Sequence, residues 1–234
     1  WFSYDGEEWV LKDVSFVIEP GQTAAFVGAT GAGKSSILNL IGRYYDIQKG
    51  TITIDGVNIQ ELDLSSLRRA VGQVQQDVFL FTGDIRGNIR LRNDEISDQA
   101  IEDAAKFVNA DGFIRNLEHG YEEAVTERGS TLSAGQRQLL SFARTLAYDP
   151  AILVMDEATA NIDTETEALI QDAMGRLMAG RTTIVVAHRL STIQHADKIM
   201  VMHKGRLREQ GTHQELLQQD GIYKKLYDLQ LRER

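Results

Sequence analysis

The stretch that decides the fold is Gly28-Ala29-Thr30-Gly31-Ala32-Gly33-Lys34-Ser35, which lies between an apolar run over 23–27 and an apolar helical pattern over 35–43. Its glycines let the backbone curl so that successive N–H groups point inward, and the following helix adds its positive end. Lys34 would reach the outer phosphates of a polyphosphate, and Ser35 would offer its hydroxyl to Mg²⁺. A glycine-rich turn that only joins strand to helix is the alternative. The Lys-Ser pair at this spacing favours a phosphate-binding loop, in which we include the next hydroxyl, Ser36.

An acidic pair follows a second apolar run. Residues 152–155 read Ile-Leu-Val-Met, and Asp156 and Glu157 come directly after them. Ligands of open α/β sheets bind at the carboxyl ends of the strands, so this pair is expected at the ligand edge. Asp156 would hold Mg²⁺, and Glu157 would polarise an attacking water or accept its proton. A solvated acidic turn is the alternative, and the phosphate-binding loop in the same chain argues against it.

The composition limits the classes of function. The 234 residues include 25 basic and 34 acidic side chains, for a net charge of −9, with 42% hydrophobic and 25% charged residues. These values are typical of a soluble globular protein, and the acidic balance argues against a nucleic-acid binder. Cysteine is absent, which excludes disulfides, thiol catalysis and Cys-based metal sites. No apolar run approaches the roughly 20 residues of a membrane-spanning helix.

The pattern of apolar residues predicts the elements. Partial period-two alternation predicts an antiparallel strand over 10–19, and 51–54 with Asp55-Gly56 predicts a strand entering a tight hairpin. The pattern is mostly helical from 84 to 148. A C-terminal helix over 222–231 is expected to dock on the core through Ile222, Leu226 and Leu229. Further strands are predicted over 23–27, 152–155, 183–187 and 199–202, and further helices over 35–43, 96–108 and 134–147.

The expected fold class is therefore α/β: a P-loop NTPase core with a small antiparallel β portion and an inserted helical lobe. The whole chain, 1–234, is expected to be one nucleotide-binding domain. Residues of about 1–77 and 150–234 would form the core, and residues of about 78–149 the helical lobe. The long spacing between the phosphate-binding loop and Asp156 requires such an insertion.

A third motif, Leu132-Ser133-Ala134-Gly135-Gln136, opens the predicted helix over 134–147. Ser133 is a good N-cap, and a capped helix start beside a glycine suits an anion. Together with the two motifs above, it makes the chain resemble the nucleotide-binding domain of ATP-binding cassette (ABC) transporters from Tyr4 to about Leu217. The family signature reads Leu-Ser-Gly-Gly-Gln, so Ala134 departs from it at the third position.

The resemblance implies further site residues. Tyr4 matches the aromatic that stacks on adenine, with Trp1, Phe2 and Trp9 as competing aromatics. Gln76 matches a glutamine that contacts Mg²⁺ and the attacking water and senses the membrane partner.

Two more residues are implied near the partner domain and the γ-phosphate. Asp163, in Ala160-Asn161-Ile162-Asp163, matches a loop that crosses to the partner domain. His188 matches the histidine that contacts the γ-phosphate; taken alone, it would be an ordinary histidine at a strand end.

The resemblance also implies ligands and partners. Two such domains, identical or merely related, would pair head to tail, with each ATP and its Mg²⁺ between the Lys34 loop of one chain and the Ser133 helix start of the other. The segments 79–89 and 126–129 resemble exporter segments near the coupling helices of a transmembrane domain. Since the first residue is Trp1 rather than Met, the chain is expected to be part of a longer exporter, lying at the cytoplasmic face of a membrane.

The expected function is ATP hydrolysis that drives the export of a multidrug or lipid-like cargo. Three alternatives stay open from the sequence. They are a soluble ABC ATPase of translation or DNA repair, an importer ATPase subunit, and a module that binds ATP without hydrolysing it.

Overall fold

A computed structural model describes residues 1–126, 129–157, 162–187 and 190–232. Its strands are, in chain order, β1 Thr23–Val27, β2 Thr53–Ile54, β3 Val57–Asn58, β4 Val71–Val74, β5 Gly83–Asp84, β6 Ala124–Val125, β7 Ile152–Asp156, β8 Thr182–Val186, β9 Lys198–His203 and β10 Arg206–Gly211. Its helices are α1 Lys34–Ile41, α2 Leu64–Ala70, α3 Ile85–Arg90, α4 Asp98–Phe107, α5 Asp111–Arg115, α6 Ala134–Ala147, α7 Thr164–Met178, α8 Leu190–Gln194, α9 His213–Gln218 and α10 Ile222–Arg232, with a 3₁₀ turn at Gly120–Glu122.

The main sheet places β1 between two parallel neighbours. The order is β10-β9-β1-β8-β7-β4, and β1 pairs in parallel with β8 and β9, as β7 does with β8. Phe26 in β1 is fully buried opposite Val186 and Met200, and Leu38 of α1 packs into the same core. Each such buried side chain contributes about 1.5–3 kcal/mol to stability. The apolar β1 is therefore held on both sides, which fixes where the phosphate-binding loop begins.

The strand and helix predictions are largely confirmed. The strands predicted over 23–27, 152–155, 183–187 and 199–202 correspond to β1, β7, β8 and β9, and the helix predicted over 134–147 is α6 with the same bounds. The helices predicted over 35–43 and 96–108 are α1 and α4. The predicted hairpin joins β2 to β3, and both turn residues, Asp55 (φ 50°) and Gly56 (φ 80°), adopt the left-handed region that such a turn requires.

The antiparallel strand predicted over 10–19 is wrong. The segment makes one isolated bridge, between Phe2 and Leu11, and residues 12–19 join no sheet. A positive φ of 53° at Asp13 interrupts the extended backbone. The alternation itself is real, since Val14, Phe16 and Ile18 pack against the core while the residues between them are exposed. The alternation over 10–19 therefore indicated which side chains face the core, but it did not indicate hydrogen bonding to a neighbouring strand.

The docking face predicted for the C-terminal helix is also partly wrong. Leu229 is 56% exposed, and among the α10 side chains that the structure describes, the buried one is Tyr223. Its hydroxyl lies 2.6 Å from Nδ1 of His213 in α9, a contact that fixes the start of α10. Tyr223, the residue after Ile222 of the predicted aliphatic face, supplies the docking contact. A tyrosine can be buried at this position because His213 is a hydrogen-bond partner for its hydroxyl.

The contacts divide the chain into two compact units. One unit comprises residues 1–73, 152–157 and 181–234, and the other comprises 74–151 and 158–180. The second unit thus includes α7 as well as the helices of the segment predicted as an insertion. Within the part of the chain that the structure describes, no helix combines the length and apolar character needed to cross a bilayer.

Candidate functional site

The phosphate-binding loop is built by glycines in the first unit. Gly28, Gly31 and Gly33 have φ values of 147°, 78° and 97°, which side chains with a Cβ rarely adopt. A Cβ on Gly28 would run into the carbonyl oxygen of Met202 in β9. Gly33 is the N-cap of α1, and no side chain caps it. The first amides of α1 are therefore left for a ligand.

Lys34 lies inside the loop. Its side chain is 6% exposed, and Nζ donates hydrogen bonds to the carbonyl oxygens of Gly28 at 2.7 Å and Ala29 at 3.1 Å. Burial lowers the pKa of Lys34, and the charge of Asp156 opposes that shift. The ammonium group is thus held across the loop in the position from which it can meet an anion.

The loop meets the acidic pair through Ser35. The Ser35 hydroxyl donates a hydrogen bond to Oδ2 of Asp156 at 2.8 Å. Asp156 is the last residue of β7 and pairs with Val186 of β8. A hydroxyl and a carboxylate side by side are hard oxygen ligands, the type that Mg²⁺ takes beside phosphates. The two residues therefore fit the ion.

Glu157 is buried at 7% exposure, directly after β7. Its backbone N–H donates to the carbonyl oxygen of Val186 at 3.1 Å, and its Oε1 accepts a hydrogen bond from the hydroxyl of Thr192 at 3.1 Å. Thr192, in α8, is a residue that the sequence analysis missed. The only signal was that α8 follows β8, the strand beside β7 in the sheet. The hydroxyl fixes the orientation of the carboxylate.

Tyr4 is the aromatic residue next to the loop. It is 49% exposed, and its hydroxyl lies 2.9 Å from that of Ser36. Among the competitors, Phe2 is buried, and Trp1 and Trp9 contact each other edge to face at 5.4 Å. Tyr4 alone of these four combines an exposed ring with a bond to the loop.

The signature segment belongs to the second unit and starts α6 as predicted. Ser133 is the N-cap: its Oγ accepts from the N–H of Gln136 at 3.1 Å, and Oε1 of Gln136 accepts from the N–H of Ser133 at 2.9 Å. Ala134 is the first helical residue, and Gly135 is buried. A Cβ on Gly135 would collide with the methyl group of Thr166 in α7. The glycine is therefore required by the packing of α6 on α7.

The structure describes two of the other residues that the resemblance implies, Gln76 and Asp163. Gln76 is exposed, just after β4. Asp163 caps α7, and its Oδ1 accepts from the N–H of Thr166 at 2.9 Å, a bond that lowers the pKa of Asp163. His188 lies outside the described residues, as do residues 127–128 of the segment 126–129 and residues 160–161 of the segment Ala160–Asp163.

A glycine-built loop between a buried strand and a helix, with a hydroxyl bound to a strand-end carboxylate, defines a P-loop nucleotide-binding protein. Residues 11–160 match the family described as ABC transporter, and the chain belongs to that family. It is similar to the Streptococcus pneumoniae ABC transporter ATP-binding protein exp8, with 52% identity over 98% of the chain and 39% of the relative.

Two further comparisons agree with this family. The Bacillus subtilis relative named "Probable multidrug resistance ABC transporter ATP-binding/permease protein YheH" is 51% identical over 98% of the chain and 34% of its own length. A solved structure of a bacterial Atm1-family ABC exporter with ATP bound superposes with a TM-score of 0.91 at 44% identity, over 98% of this chain and 40% of that one. The chain thus spans about two fifths or less of these relatives, and it corresponds to their ATP-binding domain.

Proposed function

We propose that this chain is the ATPase domain of an ABC exporter, which binds ATP with Mg²⁺, hydrolyses it and uses the cycle to move an attached transmembrane domain. The observation that carries the proposal is the Ser35–Asp156 hydrogen bond of 2.8 Å beside the buried Lys34. It places two oxygen ligands for Mg²⁺, from Ser35 and Asp156, at the same edge of the sheet as the Lys34 ammonium group. A polyphosphate bound with its metal ion needs both the oxygen ligands and the ammonium group.

Phosphate binding follows from the loop. Lys34 would exchange its bonds to two loop carbonyls for bonds to the β- and γ-phosphates, while the amides at the start of α1 bind the same oxygens. Ser35 and Asp156 would hold Mg²⁺, which when bound neutralises charge on the phosphate oxygens. Tyr4 would carry the adenine on its exposed ring face.

Hydrolysis is assigned to Glu157. Its carboxylate, oriented by Thr192, would accept a proton from the attacking water as oxygen bonds to the γ-phosphorus and the bond to the ADP oxygen breaks. Gln76 and His188 are proposed to contact the attacking water and the γ-phosphate, as the family resemblance implies.

The second nucleotide-binding domain is proposed to close over the ATP. Ser133 Oγ acts as the acceptor in its capping bond, so its hydroxyl hydrogen can be donated to a γ-phosphate bound on the partner. The backbone amides of Ala134, Gly135 and Gln136 would contribute the positive end of the α6 dipole. Asp163 would lie in the loop that crosses to the partner domain. The partner is a second copy of this chain or a related domain, paired head to tail.

The transmembrane partner is proposed to contact an exposed aromatic pair in the second unit. Phe79 and Phe81 are 50% and 53% exposed and pack edge to face at 5.0 Å. Asn88 holds the backbone N–H and C=O of Phe81, each at 2.8 Å. The names ATP-binding/permease and exporter among the relatives support such a partner, and with it a place at the cytoplasmic face of a membrane. They give no support to a nucleic-acid partner or to a translation factor.

The test is a titration of the chain with ATP, with and without Mg²⁺, followed by phosphate-release measurements. We expect saturable ATP binding and Mg²⁺-dependent phosphate release. Asp156→Asn should reduce the Mg²⁺ dependence of both, and the surface variant Asp94→Asn should not. Absence of ATP binding would contradict the proposal. Binding without phosphate release at any concentration of the chain would leave only a nucleotide-binding module.

A further inference from the structure

The orientation of Tyr4 must be set by neighbours, because half of its side chain is exposed. The ring of Tyr45 packs against it edge to face, with centroids 4.9 Å apart and an interplanar angle of 87°. Phe2, which is buried, packs on Tyr4 at 4.7 Å and 78°. The rings of Phe2 and Tyr45 also contact each other, with centroids 5.8 Å apart, so Tyr4 belongs to a cluster of three rings. Its remaining exposed face is the surface that a base could cover.

The backbone of Ser3, directly before Tyr4, is held by one glutamine side chain. Oε1 of Gln48 accepts a hydrogen bond from the N–H of Ser3, and Nε2 of Gln48 donates to the carbonyl oxygen of Ser3, both at 2.9 Å. This pair of bonds imitates what a neighbouring strand would supply. Since Ser3 directly precedes Tyr4, the Gln48 side chain fixes the direction from which the tyrosine leaves the chain.

The backbone after Tyr4 is closed by a local turn. Oδ1 of Asp5 accepts hydrogen bonds from the Ser3 hydroxyl at 3.0 Å and from the N–H of Glu7 at 3.0 Å. These bonds involve only residues close in sequence. Tyr45 and Gln48 therefore add longer-range contacts to those that the Phe2–Leu11 bridge and the Tyr4–Ser36 contact already make between this segment and the rest of the first unit.

We infer that Tyr45 and Gln48 are positioning residues that hold the Tyr4 ring ready for a nucleotide base and so determine how strongly the site prefers a base-bearing nucleotide to a bare polyphosphate. The inference rests on the proposed role of Tyr4. Both residues lie in the segment that leaves α1, the helix that begins at the phosphate-binding loop. The Tyr4 hydroxyl also contacts that of Ser36, which lies in α1 itself. The residues that would bind the phosphates and those that position Tyr4 therefore lie in α1 or close to it in the sequence.

The experiment compares the affinity of the chain for MgATP with its affinity for inorganic tripolyphosphate, which only the loop can bind. Tyr45→Ala should weaken ATP binding roughly three- to tenfold, the size expected when an aromatic pair contact is lost. Gln48→Glu, which removes the donor to Ser3 while keeping the shape, should weaken it in the same direction. Tripolyphosphate binding should be unchanged in both variants, which also shows that the loop is folded. Tyr45→Phe, which keeps the ring, should bind ATP like the wild type.

Tyr44→Ala is the matched control. Tyr44 is adjacent and equally exposed, but its ring packs over the guanidinium of Arg68, 4.7 Å away, so ATP affinity should not change. The positioning role is overturned if Tyr45→Ala and Gln48→Glu change both affinities in equal proportion, or change neither. Tyr4→Ala separates the two ideas. If it weakens ATP binding while Tyr45→Ala and Gln48→Glu do not, only the positioning role is wrong. If Tyr4→Ala does not change ATP affinity, the proposed role of Tyr4 in binding the base and the positioning role of Tyr45 and Gln48 are both wrong.

Discussion

The hydroxyl of Ser35 donates a hydrogen bond to Oδ2 of Asp156 at 2.8 Å, although the two residues are 121 positions apart. The contact follows from the sheet, because β1 and β7 both run parallel to β8 and their carboxyl ends reach the same edge. Ser35 belongs to the helix after β1, and Asp156 ends β7. Two short motifs far apart in the sequence thus become one candidate cation site.

Replacing Glu157 by Gln should separate binding from hydrolysis. The amide keeps an oxygen for the Thr192 hydroxyl but cannot take a proton from water, so we expect ATP affinity within a few-fold of wild type and turnover reduced about 100-fold or more. ATP should then accumulate in a closed dimer, measured by gel filtration with light scattering. Glu61→Gln, at an exposed position, is the control. Turnover at the wild-type rate would remove Glu157 from its proposed role.

Replacing Lys34 by Ala should weaken ATP binding itself, about tenfold or more. The change removes the buried cation of the loop and leaves the carbonyl oxygens of Gly28 and Ala29 without their donor. Affinity is measured by calorimetry, and a melting curve checks that the loop change has not unfolded the chain. Lys225→Ala, on the exposed side of α10, should leave affinity unchanged. Equal affinity in Lys34→Ala would show that the lysine does not contact the ligand.

The parts of the fold that the sequence predicts are those with local causes. The glycines of the phosphate-binding loop and the Ser133 cap act within a few residues, and the bounds of α6 agree with the prediction. Buried parallel strands such as β1 and β7 are recognisable because they are apolar on both faces. These signals require no knowledge of the rest of the chain.

The parts that could not be predicted depend on contacts between distant segments. The Thr192–Glu157 bond joins residues 35 positions apart, and nothing in α8 marks its threonine as a partner for a carboxylate. The alternation over 10–19 gave the buried side correctly, but strand pairing needs a free neighbouring edge, which local sequence does not encode. The two hydrogen bonds between the Gln48 side chain and the Ser3 backbone were also not predicted, because these residues are 45 positions apart.

Replacing Gly135 by Ala should destabilise the start of α6, because the new Cβ would overlap the methyl group of Thr166. Overpacking of this kind costs about 1–3 kcal/mol, measured as the free energy of unfolding in urea. Thr166→Ser removes that methyl and should restore most of the loss in the double variant. Ala134→Gly, one position earlier, is the control and should cost about 1 kcal/mol or less. A double variant no more stable than Gly135→Ala would show that Thr166 is not the obstacle.

Arg144 should be needed for the stability of the loop that carries the exposed aromatic pair. Its Nε donates to the carbonyl oxygen of Asn88 at 2.9 Å, its Nη1 to that of Phe79 at 3.1 Å, and burial lowers its pKa. Arg144→Leu should lower the free energy of unfolding by about 1–3 kcal/mol, since the carbonyl oxygens lose their donors.

Phe79→Ala gives the complementary result. Because the ring is 50% exposed, the variant should unfold like the wild type, yet it should reduce transport-coupled ATPase activity when placed in the full-length transporter. Full coupling in that variant would mean that the aromatic pair is not the contact with the transmembrane domain.

The docking of α10 should be lost at both ends of the pH range. Burial lowers the pKa of His213 below its ordinary 6.5, so the stability gained from its neutral form is present above pH 6.5 and is lost as the pH falls through the lowered pKa. Burial raises the pKa of Tyr223 to about 12, so its contribution is present below pH 10 and is lost as the pH rises towards 12. The two groups share one contact, between Nδ1 of His213 and the hydroxyl of Tyr223, at 2.6 Å.

We therefore expect the melting temperature to decrease as the pH falls below 6.5, and the decrease to be smaller in His213→Gln. His195→Gln, which does not touch α10 through this contact, is the control, and an identical acid profile in His213→Gln and wild type would show that the contact does not titrate.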